Sequence, residues 1–271
     1  MNWPTSISIG VLAILLLAQQ ALPQARPPRA PILNDVGIDQ KLGAQVPADL
    51  VFRDEHGKDV RLGNFFGKRP LILALVYYKC PMLCTMVLND VTRAMNSMRM
   101  TCGDQFDILT VSFDPNETPA DAVDRKAQYL RAYRRPSAEA GWHFLTGTQP
   151  NIKKLTETVG FRYAWDPKYH QFAHASGLIV LTPDGKTSRY FYGIDYAPSD
   201  LELSLAEAQQ GKETSVADRI LLFCFHYDPT TGRYSLLISR VIQAAGILTV
   251  LVLGSGIWLA LRREKHGRVV S

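Results

Sequence analysis

Apolar residues run through this chain in two patterns, short unbroken runs and a helical repeat, and their alternation predicts its elements. Residues 70–78, PLILALVYY, are apolar at consecutive positions, as expected of a central strand covered on both faces, and residues 106–114, FDILTVSFD, repeat the pattern. Between them, residues 82–100 place apolar side chains at 83, 87, 91, 94/95 and 98, the spacing of one helical face. Residues 118–133 predict a second helix, with Thr118 as N-cap and Pro119 at the first position. WHFLTG (142–147) reads as a third strand, and QPNIKKLTETVG (149–160) as a short helix closed by Gly160. Residues 50–67 read as a hairpin turning at DEHGKD, and residues 174–193 as another turning on Pro183-Asp184-Gly185. Residues 199–225 add one or two helices, and HYDPTTGRYS (226–235) reads as a turn. Strand, helix, strand, helix, strand, then an antiparallel hairpin describes an α/β domain with a mixed central sheet.

Two apolar segments lie outside this rhythm. Residues 7–18, ISIGVLAILLLA, have the length of a secretory core, and Ala21 or Ala25 offers a cleavage site. No Lys or Arg precedes that run, so residues 1–25 are expected to be a signal peptide or an N-terminal anchor. Residues 26–44 follow as a Pro-rich linker. Residues 241–261 carry no charge and as a helix would rise roughly 30 Å, enough to cross a bilayer. Arg240 precedes them and RREKHGR follows at once. This predicts a transmembrane helix over 236–262 in the inner membrane, a basic cytoplasmic tail at 263–271, and a periplasmic domain over 45–235.

Charge changes little in this picture. Thirty basic residues against 25 acidic ones give a formal charge of +5, without the basic stripe and interleaved aromatics that nucleic acid demands. Neither a GxxxxGK[ST] loop nor a GxGxxG loop is present, so the usual phosphate cradles are excluded. Cysteine changes the picture more. In an exterior, oxidising compartment free thiols need a reason to exist. Cys80 and Cys84 stand four positions apart in YYKCPMLCTMV, where the first central strand gives way to a helix that Pro81 can open. Residues at i and i+4 share a helix face, and carboxyl edges of α/β sheets are where sites are built. The helix N-terminus there favours thiolate, which both a metal and a disulfide partner require.

Three readings stay open at this point: a redox couple, a metal site, or a buried core pair. A metal site needs a third donor, and the candidates are His56, His143, His170, His174 and His226. His56 falls in a predicted turn and His143 in a strand away from the edge. His170 and His174 precede the strand SGLIVL, where a loop could cross the thiols, and His174 abuts that strand directly. Met86, Met95, Met98 and Met100 follow a helical face and read as core, whereas Met82 lies between the cysteines. Cys102 reads as a solitary thiol or a disulfide partner for Cys224, and Cys224 with His226 as a possible accessory donor pair.

YYKCPMLCTMVLNDV, ILTVSFDPNETPADAVDRKAQYL and HASGLIVLTPDGK, in this order and spacing, resemble the Sco/SenC family over about residues 45 to 195. The resemblance implies a membrane-tethered, thioredoxin-like domain that carries copper to the dinuclear centre of cytochrome c oxidase subunit II. It also implies one copper ion, Cu(I) or Cu(II), held by Cys80, Cys84 and His174, with Asp114 nearby but not a ligand. Two departures from the family pattern are Ala173, where an Asp usually precedes the ligand His, and Lys79 beside Cys80. A third is the C-terminal span. Two thiolates and an imidazole suit copper, and a three-donor site leaves room for an acceptor to enter. The expected activity is thus that of a metallochaperone, and the alternative is a thiol-disulfide oxidoreductase or redox sensor using the Cys80/Cys84 couple. Peroxidase chemistry would need a lone activated Cys with Thr and Arg nearby, which Thr85 and Arg93 support only weakly.

Overall fold

The computed structural model describes residues 31–80, 83–211, 227–228, 233–234 and 245–256. Its centre is a five-stranded sheet in the order β10-β9-β4-β5-β6. β4 (Leu71–Val76) and β5 (Asp107–Ser112) pair in parallel, as do β5 and β6 (Trp142–Leu145). β9 (Gly177–Leu181) runs antiparallel to β4, and β10 (Thr187–Tyr192) closes the hairpin with β9. This is the mixed sheet expected, in a thioredoxin-like arrangement. All six side chains of β4 are buried, and since alternate residues face opposite sides, both faces of the sheet are covered.

The covering helices are α1 (Leu83–Ser97), α2 (Pro119–Tyr133), the short α3 (Ala138–Gly141), α4 (Gln149–Val159) and α5 (Pro198–Gln209). α1 and α2 are the crossovers that make β4, β5 and β6 parallel. α2 starts as expected: the Asp121 carboxylate accepts the Thr118 N–H at 2.9 Å, tying the N-cap to the first turn. α4 ends at Gly160 with φ 73°, a left-handed position suited to glycine, where an added Cβ would also meet the Asp39 carbonyl oxygen.

Two hairpins flank the sheet. β2 (Val51–Arg53) and β3 (Asp59–Arg61) form the first, as predicted, and its Arg53 exchanges backbone hydrogen bonds with Thr146 at 2.7 and 2.9 Å just beyond β6. The second was not predicted. β7 (Phe161–Asp166) and β8 (Gln171–His174) pair antiparallel and join β1 (Gly37–Ile38) in a separate three-stranded sheet. His174 therefore closes a strand, not a loop as the sequence reading expected. β1 itself lies inside 26–44, the stretch read as linker.

Beside β6, Lys126 and Glu55 form an ion pair at 2.5 Å, and Lys126 also donates to the Glu139 carbonyl at 2.8 Å. Residues 227–228 and 233–234 (β11 and β12) pair as a short ladder where a turn was expected. Among the described residues no helix is long and apolar enough to cross a membrane. Of the expected span, residues 245–256 are described and helical, with Ile247, Leu248 and Val250 to Leu253 exposed. The rest of the span, residues 1–25 and the basic tail lie outside the described residues, as do Pro81, Met82, Cys224 and His226.

Candidate metal centre

β4 ends at Val76, and residues 77–80 turn the chain from the sheet towards α1 at the carboxyl edge of the parallel strands. Fixed polar partners hold this turn. The Tyr78 and Lys79 N–H groups donate to the two oxygens of Glu117 at 2.7 and 2.6 Å, and Ser112 Oγ donates to the same carboxylate at 2.5 Å. The Tyr78 carbonyl accepts Arg125 Nε at 2.7 Å, and the Tyr78 hydroxyl donates towards the carbonyls of Leu145 (2.7 Å) and Thr110 (3.1 Å). Burial lifts the Glu117 carboxyl above its ordinary value, against the opposing pull of the bonds from Ser112, Tyr78 and Lys79.

That turn delivers both sulfurs to the first turn of α1. Cys80 Sγ accepts the Cys84 N–H at 3.4 Å, and Cys84 Sγ accepts the Tyr77 N–H at 3.3 Å. Both side chains are buried. The expectation that the helix N-terminus favours thiolate is corrected for Cys84. Burial, aided by the neighbouring Cys80, pushes its thiol far above the ordinary value, because desolvating an anion outweighs a partial dipole.

His174 reaches the sulfurs from the end of β8, where it pairs with Tyr163. Its Nε2 lies 3.4 Å from Cys84 Sγ and its Nδ1 2.9 Å from the Ala175 carbonyl oxygen. A carbonyl oxygen only accepts, so Nδ1 carries a proton and Nε2 is the ring nitrogen that faces the thiols. Tyr77 (centroids 5.8 Å apart) and Phe113 (5.2 Å) pack against the imidazole, and Phe172 packs in turn on both of those rings.

The three ligand atoms of Cys80, Cys84 and His174 lie within 4.8 Å of one another, and no fourth His, Cys, Asp or Glu joins them among the described residues. The donor set fits one copper ion: sulfur suits the soft reduced ion and imidazole the oxidised one, whereas structural zinc prefers four donors. The remaining candidates lie elsewhere. His56 is exposed in the β2–β3 turn, and His143 on β6 packs tilted against Phe65 with centroids 4.6 Å apart. His170 is exposed in the β7–β8 turn at φ 50°. Asp114 follows β5 and accepts the Asn116 N–H at 2.9 Å, outside the three-donor group. Lys79 is exposed and pairs with Asp121 at 3.0 Å. Met95 and Met98 are core and Met100 packs against it, but Met86 is exposed. Arg93 is engaged by Asp90 and Asp195, and Cys102 is a buried free cysteine whose backbone N–H donates to the Tyr133 hydroxyl at 3.1 Å.

Sequence reasoning missed Glu117 and Tyr77. Glu117 immediately precedes the N-cap of α2, and that position alone assigns it to the edge where Cys80 lies.

Comparison with known proteins agrees with this architecture. The SCO1/SenC family model matches residues 39–207. A SCO1 protein homolog from Bacillus subtilis (strain 168) is 24% identical over 156 residues, 56% of this chain and 76% of the relative. A crystal structure from Aquifex aeolicus VF5 superposes with a TM-score of 0.56 at 26% identity, covering 64% of this chain and 96% of the other. Arabidopsis thaliana ScoI, solved with copper bound, is 18% identical at a TM-score of 0.49, covering 61% and 99%. The family match spans more than half of the sequence and contains both cysteines and the histidine, and the chain belongs to the SCO1/SenC family.

Proposed function

We propose that this chain is a membrane-anchored copper carrier that holds one copper ion between Cys80, Cys84 and His174. Its acceptor would be the dinuclear copper site of cytochrome c oxidase subunit II or a related copper protein. The observation that carries this reading is the convergence of two sulfurs and one imidazole nitrogen within 4.8 Å. The two sulfurs would hold Cu(I), and the nitrogen would keep Cu(II) bound. Binding requires both thiols to lose their protons, so metal uptake should release protons to the medium. His174 is the one donor not fully buried, and an incoming acceptor ligand would displace the metal from that side.

The anchor would be residues 241–261, with the carrier domain periplasmic and the basic tail cytoplasmic. The charge-free run and the exposed apolar side chains at 247–253 support it. A reporter fused after Ser271 should be cytoplasmic, and one inserted near Gly211 periplasmic. The opposite arrangement would refute this topology.

A second reading uses the same sulfurs without metal, as a couple that reduces the thiols of the oxidase subunit. The approach of the Cys84 N–H to Cys80 Sγ brings the two residues close enough to favour it. Copper content and thiol titre of the purified, reduced protein separate the two. One copper per chain, with two thiols protected, supports the carrier; unchanged thiols and no metal leave only the reductase.

A further inference from the structure

One stripe of α5 faces solvent. Ser199, Leu203 and Ala206, with Gln210 just beyond the helix end, recur at helical spacing, and the apolar Leu203 is 54% exposed. Beside the stripe runs the turn that follows α1, with Met100 partly buried in it. Between the two lie hollows of about 390 and 500 Å³ that share Met100 and Ala206, so together they form one groove along the helix. Its floor is apolar, made by Met100, Leu203 and Ala206. Its rim is polar, with Arg99 and Glu202 paired across one end at 3.8 Å and Lys68 at the other. An apolar floor inside a polar rim is the make-up of a docking surface.

We infer that residues 220–225 of the same chain, ILLFCF, dock in this groove. The chain leaves α5 at its end. Gly211, at φ 68°, closes the helix in the left-handed conformation, its N–H donating to the Ala208 carbonyl at 2.9 Å. The largely polar residues 212–219, KETSVADR, come next, and eight residues reach at most roughly 28 Å. The stripe from Ser199 to Gln210 is only roughly 17 Å long, so every point of the groove is within reach. Six residues in extended form cover roughly 20 Å, which matches the groove's length.

The segment also needs cover. Six consecutive apolar residues left in water are costly, and a bilayer crossing takes about 20, so the run calls for a protein surface. A second copy would offer the same groove, but a short tether holds the segment at about millimolar effective concentration beside its own. The groove ends at the amino edge of the sheet. Arg69 and Gln105 line it just ahead of β4 and β5, whereas Cys80 follows the far end of β4, a strand of six residues and roughly 20 Å away. Docking therefore ties the approach to residues 241–261 to one pole of the domain and leaves the three-donor group at the other. The docking itself does not rest on the copper reading.

The test uses the full-length protein in phosphatidylcholine nanodiscs. Leu203→p-benzoylphenylalanine, irradiated and digested, should cross-link within its own chain to residues 220–225, as mass spectrometry of the peptides would show. The same photoreactive group in place of Val123, an exposed residue on α2, should not reach that segment. Leu203→Asp, a change at an exposed position, should speed amide exchange across 220–225 about tenfold or more, with copper content and thiol titre unchanged. Cross-links confined to a second copy, to lipid or to other parts of the chain would overturn the proposal. So would equal cross-linking from position 123, or the same exchange rate at 220–225 in the wild type and Leu203→Asp. A wild type that binds no copper would sink the carrier reading, and both readouts would still decide the docking.

Discussion

The segment that carries the thiols, residues 77–84, and the hairpin that carries His174 meet in one group but are held in place by different interactions. On the thiol side the contacts are directional: two backbone amides on Glu117, one carbonyl on Arg125, and the Tyr78 hydroxyl on two strand carbonyls. On the histidine side they are mostly rings. β7 and β8 belong to a small sheet of their own, and Phe172 rests on Tyr77, Phe113, Tyr163 and Trp165. Hydrogen bonds fix angles, whereas ring packing tolerates small slides at little cost. The comparison teaches that the sulfurs are preset and the nitrogen is the adjustable donor.

The largest effect expected is on the thiol side. Cys80→Ala or Cys84→Ala should abolish copper retention, since one sulfur and one imidazole make a weak site. Stoichiometric copper in either purified variant, measured by metal analysis, would remove the group from consideration. His174→Ala should lower Cu(II) affinity at least 10- to 100-fold while reducing Cu(I) affinity less, and the Cys80–Cys84 couple should still cycle. Competition titrations with chelators for each ion would test this. Equal losses for both ions would mean that the nitrogen is no more adjustable than the sulfurs, whereas an unchanged Cu(II) affinity would mean that His174 is not a ligand and that His170 is the next donor to test.

Smaller effects should separate the supports from the ligands. Glu117→Ala strands the buried Tyr78 amide, at a cost of about 1–3 kcal/mol, and frees the partly buried Lys79 amide, and should lower both the melting temperature and the affinity for either ion. Phe172→Ala, on the hairpin side and only partly buried, should cost less than the roughly 3–5 kcal/mol of a fully buried Phe, and should impair Cu(II) more than Cu(I). If Phe172→Ala weakened both ions equally, the two sides would not differ as described.

The smallest effect lies outside both regions. Burial holds the His143 imidazole below its ordinary value, so the unfolded chain takes up that proton more readily than the native one. Its contribution to stability is therefore complete above about pH 6.5 and is lost as pH falls towards the lower native value. Melting curves of His143→Gln should fall less steeply between pH 7 and 5 than those of the wild type, with copper retention unchanged.

Much of the central sheet was legible because its central strands are short apolar runs, such as Leu71 to Val76, too short for a buried helix and rich in β-forming residues. The first donor pair was legible because strand, cysteine, proline and helix follow one another in the chain. The β7–β8 hairpin was harder to read. Phe161, Tyr163 and Trp165 do alternate with Arg162, but apolar Ala164 blurs the pattern, and Pro167 with Lys168 makes an unremarkable turn. Glu117 and Tyr77 were missed for a different reason. Their importance lies in which group they meet once folded: the Glu117 carboxylate holds the Lys79 N–H, 38 residues back in the chain, and the Tyr77 N–H meets Cys84 Sγ. The β2–β3 hairpin was read correctly, but nothing local foretold that its Glu55 would meet Lys126, 71 residues on.

That buried pair has a consequence for how this protein can be approached. β6 is an edge strand, and an open edge invites another chain to extend the sheet. Here the Phe144 N–H donates to Glu55 at 3.3 Å and Thr146 is bonded to Arg53 in both directions, so the outer rim of β6 is already engaged. At the opposite rim, Thr187 on β10 is bonded to Gly43 and Ala44. Strand addition, a common way for one protein to grip another, thus meets an engaged rim at both ends of this sheet. A partner that docks on this sheet is therefore met by loops and side chains, and the loop at the carboxyl edge of β4 is the one that carries Cys80.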